Sequence, residues 1–176
     1  MLARLLDSAP TKLQSVSKGP GIYALYDHEA KPRYIGITER CLRDRIYSRH
    51  TAGDGNSHKF SSIYNAGRMF HSRGHPAICS QDGPIAKELR RLFTRAHCSA
   101  VAIPLTDVSM KELRALEVAV LAFAPEQATR WNHVRALEPI EPTELVASFV
   151  ATLAWPRKKL DAIERQSQRW WAHGLR

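Results

Sequence analysis

The sequence predicts a mixed α/β (α+β) fold: a small, three-stranded, mainly antiparallel sheet flanked by helices, with a helical C-terminal extension. Three observations carry this. Two short strand-like runs, 21–27 (GIYALYD) and 33–38 (RYIGIT), are joined by HEAKP, a Pro-containing link of hairpin length. A third such run, 99–105 (SAVAIPL), follows a long stretch of helical spacing. Strands paired as a hairpin are antiparallel, which excludes a doubly wound parallel sheet.

The elements follow in order. Residues 2–14 read as a short helix, stopped by the breaker cluster SVSKGPG. On the first strand Ile22, Ala24 and Tyr26 share one face, and Tyr23 and Leu25 the other. On the second, Tyr34 and Gly36 point one way, Ile35 and Ile37 the other. Residues 39–50 have helical spacing, with Leu42 and Ile46 one turn apart. A polar loop leads to a short helix at 60–70, then to the loop-like stretch 72–84 (SRGHPAICSQDGP) with room for one strand. Ile85, Leu89 and Phe93 predict a helix over 84–97. After the third strand, Ser109 and Glu112 have the spacing of a capping box, and a helix runs from there to Pro125. Beyond 137 two further helices are expected, broken at Pro156. The expected organisation is a lead-in over 1–16, a main domain over 17–137 and a helical extension over 138–176.

Composition narrows the function classes. The chain of 176 residues carries a formal net charge of +9. Residues 37–100 hold eleven Lys/Arg against five Asp/Glu, so +6 of the excess sits in one stretch. Nine of those cations are arginines, the side chain that forks onto phosphate oxygens. Such a balance suits a polyanionic partner and equally suits a solvated basic face. Cys41, Cys79 and Cys98 are far apart with no CxxC, which argues against a zinc ribbon and a disulfide framework. No apolar run reaches membrane-spanning length and the first residues do not read as a secretory signal, so a cytoplasmic location is expected.

Two features are unusual for packing alone. Tyr23 and Tyr34 lie on a paired hairpin beside glycines; cross-strand packing explains them, and so does a pair of phenols over a patch kept low by Gly36. Glu117 stands mid-helix among Leu113, Leu116, Val120 and Leu121. A carboxylate there either reaches water at the stripe's edge or is paired, hydrogen-bonded or metal-bound.

Gly21-Ile22-Tyr23, followed ten residues later by Tyr34-Ile35-Gly36, resembles the GIY-YIG nuclease superfamily. Leu42-Arg43-Asp44-Arg45 matches the family's helix and nominates Arg45. Glu117 matches its metal-binding glutamate, and Asn132, fifteen residues later, its asparagine. The resemblance covers about 19–134. It implies a metal-dependent endonuclease that hydrolyses DNA phosphodiester bonds by in-line attack of water. In that reading Tyr23 acts on the water, as base or positioner, and Tyr34 joins its network. A phenol acting as base near neutrality needs a pKa about 3 units below its ordinary value near 10. Arg45 meets the phosphoryl charge. Glu117 holds Mg²⁺ or Mn²⁺, and Asn132 supports the site. Many relatives carry a His or Tyr one turn beyond the arginine. Here that position is Arg49, and His50 falls at i+5, which points well away from Arg45 unless the helix has ended; His50 is carried as a further candidate catalytic residue. Duplex DNA is the expected partner, with Arg40, Arg49, Lys59, Arg68 and Arg73 as candidate phosphate contacts. The alternatives are a catalytically silent nucleic-acid-binding module, or a basic partner-binding protein on the same fold.

Overall fold

The computed structural model describes residues 1–52, 59–132 and 138–173. They form two units, one of residues 1–51 and 95–136, the other of 52–94 and 137–176. The lead-in over 1–16 thus lies in the first unit, and the C-terminal extension shares the second with the stretch 52–94.

The first unit starts with α1 (Leu2–Asp7). The helix expected over 2–14 stops early because Pro10 disfavours helical backbone at Ala9. The chain then forms a two-residue strand, β1 (Thr11–Lys12), and a 3-10 turn over Leu13–Ser15. The hairpin strands are β2 (Gly21–Tyr26) and β3 (Pro32–Thr38). Residues 42–52 are helical, with a π-helical segment Asp44–Arg49 that runs into α2 (His50–Ala52).

In the second unit, α3 (Lys59–Ser62) and a 3-10 turn over Gly67–Met69 stand where one helix was expected. The following loop holds a helix, α4 (Pro76–Cys79), with Pro76 at its first position, as the fixed φ of proline favours. Helix α5 (Gly83–His97) crosses from the second unit into the first. β4 (Ser99–Pro104) completes the sheet. Next comes α6 (Met110–Phe123), where Ser109 and Glu112 make the predicted capping box, followed by α7 (Glu126–Thr129). Helices α8 (Thr143–Thr152) and α9 (Arg157–Ala172) flank Pro156 as predicted.

The sheet has four strands, not three, in the order β1-β4-β2-β3, and every pair is antiparallel. A two-residue strand is too short to show alternation, which is why β1 escapes a sequence reading. Opposite Ile22 stands Ile37, and opposite Tyr23 stands Gly36. One sheet face therefore presents Ile22, Ala24, Tyr26 and Ile35, which pack with Leu5, Val101, Ile103, Val120 and Ala128 into the core of the first unit. Each buried Val, Leu or Ile of this core contributes about 1.5–3 kcal/mol by leaving water. The other face presents Tyr23, Leu25, Tyr34 and Gly36.

The second unit has its own cluster of Ala66, Phe70, Cys79 and Trp170, with the Phe70 and Trp170 ring centroids 4.9 Å apart. Asp82 accepts hydrogen bonds from Arg165 Nε at 3.0 Å and from Arg169. No described helix is long and apolar enough to cross a membrane.

Candidate functional site

The hairpin motif has a steric reason. A Cβ on Gly36 would lie 2.8 Å from Tyr34 Cε1 and 2.9 Å from Tyr23 Oη, so only glycine lets both rings lie over this point of the sheet. A Cβ on Gly21 would be driven into the Ile103 carbonyl of the neighbouring strand. The Tyr23 and Tyr34 rings stack with centroids 6.2 Å apart.

The helical segment supplies the rest. In an α-helix His50 would point away from Arg45. The π-helical segment instead closes with the His50 N–H donating to the Arg45 carbonyl, an i to i−5 bond. One extra residue per turn brings positions 45 and 50 onto the same face. Both then reach Tyr23: its Oη lies 2.7 Å from His50 Nε2 and accepts from Arg45 Nε at 3.4 Å. The Tyr34 phenol is close enough to Tyr23 and Arg45 for both to affect its titration, and its ring meets the His50 ring edge-on, with centroids 5.0 Å apart. With the imidazole proton on Nδ1, His50 Nε2 accepts from the Tyr23 hydroxyl; with it on Nε2, the ring donates to the Tyr23 oxygen, which has a second lone pair beside the one facing Arg45.

Burial bears on which of the two expected roles, base or positioner, Tyr23 can fill. Its exposure is 0 %, and His50 is 2 % exposed. Burial holds the Tyr23 phenol well above its ordinary range, the Tyr34 phenol adds to the rise, and Arg45 opposes it. A lowered phenol ready to deprotonate water is not what this environment makes. Tyr34 is raised too, by burial first, yet it is only partly buried and so is the phenol within reach of solvent.

Glu117 and Asn132 both meet the open edge of β3. Asn132 accepts from the Ile35 N–H at 3.1 Å and donates Nδ2 to the Ile35 carbonyl at 2.6 Å. Its amide takes the place of a neighbouring strand, which assigns Asn132 a supporting role. Two residues on, the Ile37 N–H lies near enough to the Glu117 carboxylate to favour its anion. Burial pushes the Glu117 carboxyl up from its ordinary range, against the pull of Arg45, that N–H and Arg114. Arg114 is absent from the sequence-derived site, although its i−3 spacing from Glu117 was a readable signal.

Beside these groups lies a cleft of about 330 Å³ lined by Ile37, Thr38, Glu39, Arg40, Asp44, Arg45, Arg49 and Met110. It brings together three of the predicted cations, Arg40, Arg45 and Arg49. The Arg49 guanidinium is held by Asp44 at 3.0 Å, with both side chains about half exposed. Arg68 does not fit the predicted role. It is largely buried in the second unit, ion-paired to Glu141, and donates to the Thr143 carbonyl. Its charge serves the fold of that unit. Arg73 is exposed in the same unit. Lys59 opens α3, and its side chain lies outside the described residues.

Among the described residues no group of three or more His, Cys, Asp or Glu is arranged to hold a metal ion. Mg²⁺ and Mn²⁺ are hard cations that keep several waters and need only one or two carboxylates plus substrate phosphate. Glu117 is a half-buried carboxylate of that kind.

Comparison with protein-family models, with curated proteins and with solved structures finds no match for the chain.

Proposed function

We propose that the first unit hydrolyses DNA phosphodiester bonds by in-line attack of water, in the manner of the GIY-YIG nucleases that its motifs resemble. The observation that carries this reading is the meeting of Arg45 and His50 on Tyr23 through the π-helical turn. Tyr34 stands at the solvent side and the arginine cleft alongside.

Each residue then has a task that its surroundings support. Tyr34 positions the attacking water and takes up its proton while passing its own to Tyr23. Tyr23 in turn passes its proton to His50 Nε2, which ends as imidazolium. Two phenols of raised pKa are poor bases by themselves. As relays they stay neutral before and after the step, so their burial is no obstacle. The hydroxide equivalent left on the water oxygen attacks phosphorus, and a sugar oxygen departs. Arg45 offers its planar fork to the charge spreading over the phosphoryl oxygens. Arg40 and Arg49 hold neighbouring phosphates. Glu117 would hold a single Mg²⁺ or Mn²⁺, which when bound supplies charge neutralisation at the phosphate and at the departing oxygen.

The test is incubation of supercoiled plasmid with the protein in Mg²⁺ or Mn²⁺, beside EDTA. Nicked or linear products that need the divalent ion are expected. Glu117→Gln should abolish them and leave DNA binding largely intact. Binding without cleavage under every divalent ion would support a silent nucleic-acid-binding module instead. Cleavage by Glu117→Gln at the parent rate would overturn the metal assignment.

A further inference from the structure

The π-helical turn that brings His50 to Tyr23 needs something to hold it. Such turns are rare, occur mostly singly inside α-helices and are frequent at functional sites. Where the turn returns to α pitch the backbone ladder changes step, so a carbonyl near that seam takes donors from other groups. Tyr47 lies in the last turn of the π-helical segment, and its carbonyl accepts from two side chains, Thr51 Oγ1 at 2.6 Å and Arg95 Nη2 at 3.1 Å. Arg95 Nε also donates to Thr51 Oγ1, at 3.1 Å. The three groups close on one another: the Thr51 hydroxyl gives its proton to the carbonyl and receives one from the guanidinium. Thr51 is 1 % exposed, so the clasp is shielded from water. The Arg95 guanidinium also stands over the Tyr47 ring, with its carbon 4.0 Å from the ring centroid, well inside cation–π range.

Arg95 lies in the last turn of α5 and, like Tyr47 and Thr51, belongs to the first unit. A cation is favoured at that end of any helix by the dipole. The dipole asks only for charge nearby. It does not call for a planar fork that spans a hydroxyl and a carbonyl of another helix, which is what arginine presents here.

We propose that Arg95 is a positioning residue: through Thr51 and the Tyr47 carbonyl it sets the π turn, and so holds the His50 ring against Tyr23 and Tyr34. Thr51 follows His50 directly, so tying Thr51 to the carbonyl four residues back fixes the exit of the chain from His50. On the other side, the His50 N–H is tied to the Arg45 carbonyl, five residues back. Without the clasp the Tyr47 carbonyl takes its donor from the helix's own ladder at α spacing, and at α spacing position 50 turns away from Arg45. The catalytic consequence rests on the nuclease reading, in which His50 is the final proton acceptor. The placement of His50 does not rest on it. Arg95 then acts on the rate through His50 and touches neither DNA nor the reacting atoms.

Nuclear magnetic resonance of the full chain tests the placement without DNA or metal, so its outcome stands apart from that of the plasmid test. In the parent the His50 ring should show nuclear Overhauser contacts to the Tyr23 and Tyr34 rings, its signals being identified by their loss in His50→Gln. Thr51→Val removes the hydroxyl at nearly the same shape, and Arg95→Lys keeps the charge without the fork. Each should lose the His50 contacts while circular dichroism stays that of the parent. Thr51→Ser, which restores a hydroxyl, should keep them. The two disruptive variants read the clasp from its two ends, so loss of fold in one leaves the other to decide. Given cleavage by the parent, Arg95→Lys should lower the single-turnover rate by up to about 100-fold, as misplacing a catalytic group does, with the Kd for duplex DNA unchanged. If Arg95 serves stability alone, Thr51→Val and Arg95→Lys will melt at lower temperature and keep the His50 contacts, and that result overturns the proposal. So does a Thr51→Ser chain that loses the contacts as Thr51→Val does.

Discussion

At the scale of single residues, burial decides what the site can do. As a general base Tyr23 would need a lowered phenol, whereas burial on the covered face of the sheet raises it, which favours the positioner of the two expected roles. Its usefulness lies in the two partners on its oxygen, not in easy ionisation. Glu117 shows the same effect with the opposite charge balance. Its folded carboxyl lies above the ordinary value of 4.5 because burial disfavours the anion. A raised acid favours the protonated folded state, so its ionisation destabilises the fold at any pH above that raised value. At neutral pH, without divalent ions, Glu117→Gln should therefore raise the melting temperature, since a glutamine keeps an oxygen near the Ile37 N–H. The gain should vanish as pH falls below the ordinary carboxylate range, where the parent glutamate is neutral as well. Calorimetry at neutral and acidic pH checks this, and a substitution that lowers the melting temperature at both would show that the carboxylate is held for stability instead.

At the scale of elements, the π-helical segment and the edge of β3 are the two devices that build the site. The first shifts His50 by one position into register with Arg45. The second is an open sheet edge whose outward-facing groups at Ile35 and Ile37 are met by side chains from beyond β4. An unpaired edge strand exposes its amides to water or to another chain, and the Asn132 amide closes that gap with a matched donor and acceptor. Asn132→Ala should lower the stability of the first unit by about 1–3 kcal/mol, the cost of leaving such groups unmet. Asn132→Asp should fall between the two, since a carboxylate accepts from the Ile35 N–H and has no proton for the carbonyl. Urea denaturation followed by circular dichroism ranks the three. An alanine variant as stable as the parent would mean that water replaces the side chain freely.

At the scale of the whole molecule, the concentration of positive charge over 37–100 divides by task. Arg40, Arg45 and Arg49 line the cleft, whereas Arg68 is committed to Glu141. Each phosphate contact releases counterions, so log affinity falls with log salt by about 0.9 per contact on duplex DNA. Replacing Arg40 and Arg49 by glutamine should flatten that slope by up to two such increments and weaken binding alike for all sequences. Arg68→Gln should leave the slope unchanged and instead destabilise the second unit, because it strands the buried Glu141 carboxylate. Fluorescence anisotropy with a labelled duplex across a salt series, beside thermal melts, separates the two outcomes. An equal change of slope for Arg68→Gln would return it to the DNA-contacting set.

The hairpin, its facing residues, the long helices and the capping box at Ser109 were legible in the sequence, because each is written in local periodicity or local side-chain chemistry. So were Tyr23, Tyr34 and Glu117 as residues of interest, since a carboxylate among leucines and tyrosines beside glycines stand out without any partner in view; Arg45 was nominated only by the resemblance. Tertiary structure alone decided the rest. The short strand β1 exists only because β4 offers it an edge. The π-helical turn, which restores His50, depends on what the helix packs against and leaves no mark on a pattern counted at 3.6 residues per turn. The raised phenol of Tyr23 and the commitment of Arg68 to Glu141, seventy-three residues away, are set by burial and by a distant partner. Those are properties of the folded environment, which no local stretch of sequence contains.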